Sequence, residues 1–197
     1  METTLRVIRD EHRSISAVVH GLLELTRAAQ DAKLRPGFAP LRAMIRYIDE
    51  FPEKLHHPKE DEYLFARLLA RVPSAAELIA GLRAEHVESA RLVRELERSL
   101  LFLEEGWPQG RQEFLDTAKA YADFHWKHMR REEQEVLPLA QRHLSAEDWR
   151  AIDAAFGENA DPLAGVREKD FEALFTRIVN LAPAPVGLGE SWTKAGA

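Results

Sequence analysis

The chain has 197 residues, 45% of them hydrophobic and 30% charged, with a formal net charge of −6. That length supports one sizeable core with a modest extension, and the mixed Arg and Glu without a basic block leave no electrostatic footprint for nucleic acid. With no cysteine, disulfides, thiolate ligands, Fe–S clusters and redox dithiols are excluded, so any metal must be held by nitrogen and oxygen.

The start, Met1-Glu2-Thr3-Thr4, lacks the basic and apolar regions of a signal peptide. No stretch reaches the roughly 20 apolar residues of a membrane span. A cytoplasmic protein with no membrane partner is the expectation.

The dense Leu, Ala, Arg and Glu content suits amphipathic helices, and an all-α fold is expected. Thr3 or Thr4 can cap a first helix whose apolar seam runs Leu5, Ile8, His12, Ile15, Val19, Leu22 and Thr26. Lys33 to Ala39 reads as a connection. Pro40 then opens a second helix carrying Leu41, Ile45, Ile48 and Leu55. Pro52 and Pro58 fall inside it and should kink or interrupt it beside His56 and His57, as a device that aims those side chains or as a plain helix break.

Pro73-Ser74 marks a third helix with the seam Leu78, Leu82, His86, Ser89, Val93, Leu96, Leu100 and Leu103. A turn at Gly106-Trp107-Pro108-Gln109-Gly110 leads to a fourth seam of Phe114, Ala118, Tyr121, His125, His128, Glu132 and Leu139. Its ionisable middle is costly to bury unless paired or metal-bound. Beyond His143 the spacing predicts a short helix to Phe156, stopped by Gly157, and a last helix from about Arg167 to Leu181 bearing Phe171, Leu174, Phe175 and Ile178. Residues 1–145 are therefore expected to form an antiparallel up-down four-helix bundle. Residues 146–197 form a helical extension and tail that cover the bundle or make a homodimer contact.

Two segments repeat. His56-His57-Pro58-Lys59-Glu60-Asp61 and His128-Met129-Arg130-Arg131-Glu132-Glu133 both read H-x-x-x-E-[D/E], and each is preceded by a matching Arg9-Asp10-Glu11-His12 or Arg83-Ala84-Glu85-His86. Residues four apart share a helix face, so His56 with Glu60 and His128 with Glu132 each offer an imidazole and a carboxylate in one direction. With His12 and His86 on the preceding helices, two facing hairpins could build a two-metal site in a bundle core. His20 and Glu24 also match H-x-x-x-E, but without an echo, and are read as accidental. His57 stands about 100° from His56 round the helix and is either an additional ligand or a half-exposed histidine at a kink. His125 is a ligand, a hydrogen-bonding neighbour of the site or a proton shuttle. Tyr63 and Tyr121 are read as core or site-supporting groups, and Trp126 as packing.

In this order and spacing, His12, His56 with Glu60, His86, and His128 with Glu132 resemble the hemerythrin family, in its bacterial HHE cation-binding branch, over roughly residues 1–145. The resemblance implies a non-haem centre of two Fe ions bridged by Glu60 and Glu132, with Mn or Zn as alternatives that the same ligands suit. It implies binding of, or reaction with, O2, NO or peroxide in sensing, scavenging or iron handling. A di-iron oxidoreductase, peroxidase-like or NO-reducing, and a helical interaction module with a structural metal are the alternatives. Oxygen-carrying hemerythrins have a second histidine four residues after the third-helix ligand, where this chain has Ala90. They also have an aspartate five residues after the last histidine, where this chain has Glu133 behind Glu132. Both departures argue against reversible oxygen carriage.

Overall fold

The computed structural model describes residues 2–31, 33–157 and 178–191, and every regular element among them is helical. Helix α1 is Glu2–Ala28. Helix α2 begins at Phe38–Ile48 and continues without a break to Ala66–Arg71. A 3₁₀ turn, Pro73–Ala75, leads into α3, Ala76–Gly106. Helix α4 begins at Arg111–Arg131 and continues through Leu137–His143, and α5 is Ala146–Gly157. Each of the four long helices packs against two others: α1 on α2 and α4, α3 on α2 and α4.

Thr4 does not cap α1. It lies inside the first turn, where backbone N–H groups lack helical acceptors, and its amide donates to Asp153 Oδ1 of α5 at 3.1 Å. A residue remote in sequence does the capping. Helix α5 has its own reciprocal cap, with Ser145 N donating to Asp148 Oδ2 at 2.9 Å and Asp148 N to Ser145 Oγ at 3.2 Å. Gly110, at φ +79°, makes the left-handed turn into α4, where a Cβ would stand 2.8 Å from the Phe102 ring.

Pro52 and Pro58 do not interrupt α2. Proline lacks an N–H and its ring collides with the carbonyl four residues earlier, and a wider π turn relieves both. Helix α2 is π-helical over Asp49–His56, which contains Pro52 and the residue four before Pro58. Helix α4 is π-helical over Glu132–Val136, which contains the residue four before Pro138. A third such stretch is Glu60–Phe65. The extra residue per wide turn rotates the seam, so Ala140 rather than the expected Leu139 is fully buried beyond Glu132. His56, Glu60 and Glu132 all lie at the ends of these wide turns.

Two apolar clusters fill the bundle. One gathers Ile15, Leu22, Met44, Ile48, Val93, Leu96, Phe114 and Tyr121. The other gathers Leu5, Ile8, Leu64, Phe65, Ile79, Leu82, Val136 and Leu137, closed off by Trp149, Ile152 and Phe156 of α5. Between them lies a buried polar slice of His12, His56, His57, Glu60, His86, Ser89, His125, His128 and Glu132. The expected helix at 167–181 lies outside the described residues except at its end, where Ile178 and Ala182 join the first cluster.

Candidate metal centre

The donor atoms of the polar slice converge. His12, His56, Glu60 and Glu132 each bring one nitrogen or oxygen within 4.8 Å of the others, and so do Glu60, His86, His128 and Glu132. The two groups share both glutamates. His57 forms a third convergent group with His86 and His128. It is buried rather than half-exposed, and its ring lies flat on that of His86, with centroids 4.1 Å apart and 11° between planes. Phe65 covers the His86 ring as well, 5.7 Å away and 12° off parallel. His125 is not in any of these groups, although its ring is 5.8 Å from that of His57 and 5.9 Å from that of His128. His20 is exposed and takes no part.

Each of the four repeated histidines is held from behind by a carboxylate on a neighbouring helix. Glu11 of α1 meets His56 Nδ1 of α2 at 2.9 Å, and Asp61 of α2 meets His86 Nδ1 of α3 at 3.1 Å. Glu85 of α3 meets His128 Nδ1 of α4 at 2.9 Å, and Glu133 of α4 meets His12 Nδ1 of α1 at 2.9 Å. The ring closes on itself. An ionised carboxylate only accepts, so each Nδ1 carries the hydrogen and each Nε2 is left facing inward. The inward atoms crowd: His12 Nε2 is 3.1 Å from His56 Nε2 and 3.4 Å from Glu132 Oε2, and His128 Nε2 is 3.2 Å from Glu132 Oε1.

Two imidazole lone pairs at 3.1 Å repel unless a cation or proton lies between them. In the metal-free polypeptide protons serve. Burial opposes charging His12 and His128, but the bonds and charges of Glu132 with Glu133 or Glu85 outweigh it, and both rise to about 9. Burial and the facing Glu132 push Glu60 well above the usual carboxylate range. Burial acts the same way on Glu132, yet the His128 charge and the close approach of the His12, His128 and His86 imidazoles hold it well below. Burial drives His57 and His125 well below the ordinary histidine value, helped by the histidines around them.

The site has the marks of a cation receptor. Both oxygens of Glu60 and of Glu132, together with Nε2 of His86 and of His128, are buried without a hydrogen-bond partner. Such orphans are costly unless a cation satisfies them. A family model, the hemerythrin HHE cation-binding domain, matches residues 3–140. The chain belongs to this family. The match spans all four helices of the bundle and every residue of the converging groups. No curated protein matches the chain significantly.

The outer carboxylates sit in the repeated motifs, at Glu11, Asp61, Glu85 and Glu133, and the repetition signals them. Glu53 is different: it lies four residues before His57, with Oε2 3.6 Å from His57 Nδ1, and accepts a bond from Ser89 Oγ at 2.5 Å. Burial pushes its carboxyl up to about 7 despite that bond. The i,i+4 spacing of Glu53 and His57 was the available signal.

A cleft of about 460 Å³ opens between α1 and α4 onto His12 and Glu133, lined also by Arg13, Ser16, Trp126 and Met129. It leads from solvent to the edge of the polar slice.

Proposed function

We propose that the protein holds a non-haem pair of iron ions and uses it to bind or react with a small oxidant, O2, NO or peroxide, in sensing, scavenging or iron handling. His12 and His56 would hold one ion, His57, His86 and His128 the other, with Glu60 and Glu132 shared by both. The observation that carries this reading is that sharing: two convergent donor groups have the same two buried, unpartnered glutamates in common. An iron pair bound through nitrogen and carboxylate supplies electrons to, or takes them from, a small molecule beside it.

The chain's own part is to orient and to insulate. The outer carboxylates fix each ring so that Nε2 points inward and keep the imidazoles basic. The two apolar clusters exclude bulk water from both ends of the slice. Ala90 is one turn beyond His86 and has no ligating atom, and His57 stands on the neighbouring helix where it can complete the set. No helix among the described residues is long and apolar enough to cross a membrane.

Metal quantification and an optical spectrum of protein purified without added metal test the reading. Two irons per chain with oxo-to-iron charge-transfer absorption is the expected result. A single tightly held zinc would instead favour a structural metal in a helical interaction module.

A further inference from the structure

Glu53 stands apart from the other acidic residues around the polar slice. Its side chain is 8% exposed, yet it belongs to none of the convergent donor groups and pairs with no lysine or arginine among the described residues. Its polar contacts there are Ser89, which is fully buried and donates from Oγ to Oε1 at 2.5 Å, and His57, whose Nδ1 lies 3.6 Å from Oε2. A carboxylate this buried is costly to keep without a positive partner.

The neighbouring imidazole can supply that charge once it holds a metal. His57 lies flat against His86, converges with His86 and His128, and has both ring nitrogens buried and unpartnered. Because Nδ1 is turned to Glu53, Nε2 is the nitrogen left for a metal, as in the four histidines backed by Glu11, Asp61, Glu85 and Glu133. A cation on Nε2 makes the Nδ1–H a stronger donor and gives the buried carboxylate its counter-charge.

The four outer carboxylates reach their histidines from a neighbouring helix, whereas Glu53 shares α2 with His57, one turn before it. What crosses between helices here is the bond from Ser89 of α3. The trio occurs in one half only. The 72-residue offset that carries His56 onto His128 carries Glu53 and His57 onto His125 and Met129, and the 74-residue offset between His12 and His86 sets Ser89 against the apolar Ile15.

From this geometry, and resting on the metal-pair reading above, we infer that Glu53 is a positioning residue for His57, accepting from Nδ1 so that Nε2 faces the ion held with His86 and His128, while Ser89 fixes the carboxylate that does this. Glu53 is not itself a ligand. It strengthens one side of the pair and leaves the His12 and His56 side alone.

The test uses full-length protein loaded with Co(II) as the probe, with both metal-binding steps measured by chelator competition. Glu53→Gln should weaken one step roughly 10- to 100-fold and leave the other unchanged, and Ser89→Ala should weaken the same step by less. In a His57→Phe background Glu53→Gln should cost nothing further, because the residue it acts through is gone. Proton NMR adds a readout that packing alone would not move, since each Co(II)-bound imidazole gives a shifted ring N–H resonance that exchanges with D2O. Wild type should show five, from His12, His56, His57, His86 and His128. The one lost in His57→Phe should be the one that moves and exchanges faster in Glu53→Gln. An equal loss from Glu53→Gln with and without His57, or no loss at all, overturns the inference. So do two bound cobalts with only four such resonances, which would leave the metal pair standing without His57. Uptake of a single cobalt by wild type is a separate failure, of the metal-pair reading itself, and removes both.

Discussion

Replacing Glu11 by Gln keeps the size of the side chain and an oxygen that accepts from His56 Nδ1, but removes the negative charge. The bond it alters spans 2.9 Å to a fully buried imidazole. Loss of a carboxylate behind a metal-binding histidine costs about 10- to 100-fold in metal affinity, or roughly 1.4–2.8 kcal/mol. Solvent screening ranks the four positions, because Glu11, Glu85, Asp61 and Glu133 are 12, 27, 34 and 42% exposed. Glu85 is further compensated by Arg131, 2.5 Å away. Glu11→Gln should therefore sit near the hundredfold end, Glu85→Gln and Asp61→Asn between, and Glu133→Gln nearest tenfold. Competition with a calibrated chelator measures this directly, with Glu62→Gln as the exposed control. Losses that are equal at all four positions, or a Glu11→Gln protein indistinguishable from the control, would refute the idea that these carboxylates act through the histidines they hold.

His86→Ala and Glu132→Ala should each lower bound metal below half of wild type, whereas the exposed His20→Ala should not; equal metal content in the three would sink the ligand assignment. Metal-free protein should keep its helical circular dichroism but melt at a lower temperature, because the apolar clusters remain while the polar slice loses its counter-charge; complete unfolding would show that the metal organises the core. His12 and His128 have folded-state values raised from 6.5 to about 9, so their contribution to metal-free stability is fully present below pH 6.5 and is lost as pH rises through about 9. Over the same window apparent metal affinity should rise, because binding needs the neutral imidazoles; a melting temperature that climbs from pH 6.5 to 9 contradicts the pairing.

The bundle was legible because each long helix carries an apolar seam at spacings of three and four, and because the metal-ligand motif is written twice. What the sequence hid has physical causes. Pro52 and Pro58 announce trouble in a helix, but nothing local says whether the chain will break or widen, and here the π turns keep α2 continuous. The cap of α1 was assigned to a threonine by propensity, while tertiary packing supplied Asp153 from α5. His57 was ambiguous because solvent exposure at a kink depends on which way the helix bends. The outer carboxylates were visible in the repeated words but are explained only by packing, since each reaches a different helix from its own.

The repeat also isolates what differs between the halves. Adding 72 to His56 and Glu60 gives His128 and Glu132, and the same shift carries His57 onto Met129 and Glu53 onto His125. The half with an additional imidazole backed by a carboxylate thus faces a half with a thioether and an unpartnered imidazole. Met129 is buried, lines the cleft beside His12 and contacts Ser16 Oγ at 3.9 Å. Met129→His would remove one of these two differences by placing a nitrogen on the side of the site that has two histidines, His12 and His56, against three. A tethered imidazole competes with a free ligand at an effective concentration in the millimolar range or above. Azide binding should therefore weaken by roughly tenfold or more, while the irons stay at two per chain. If Met129→His protein holds two irons and still binds azide as wild type does, the guest does not enter on the His12 side, and the asymmetry of the two donor groups is not what leaves room for it.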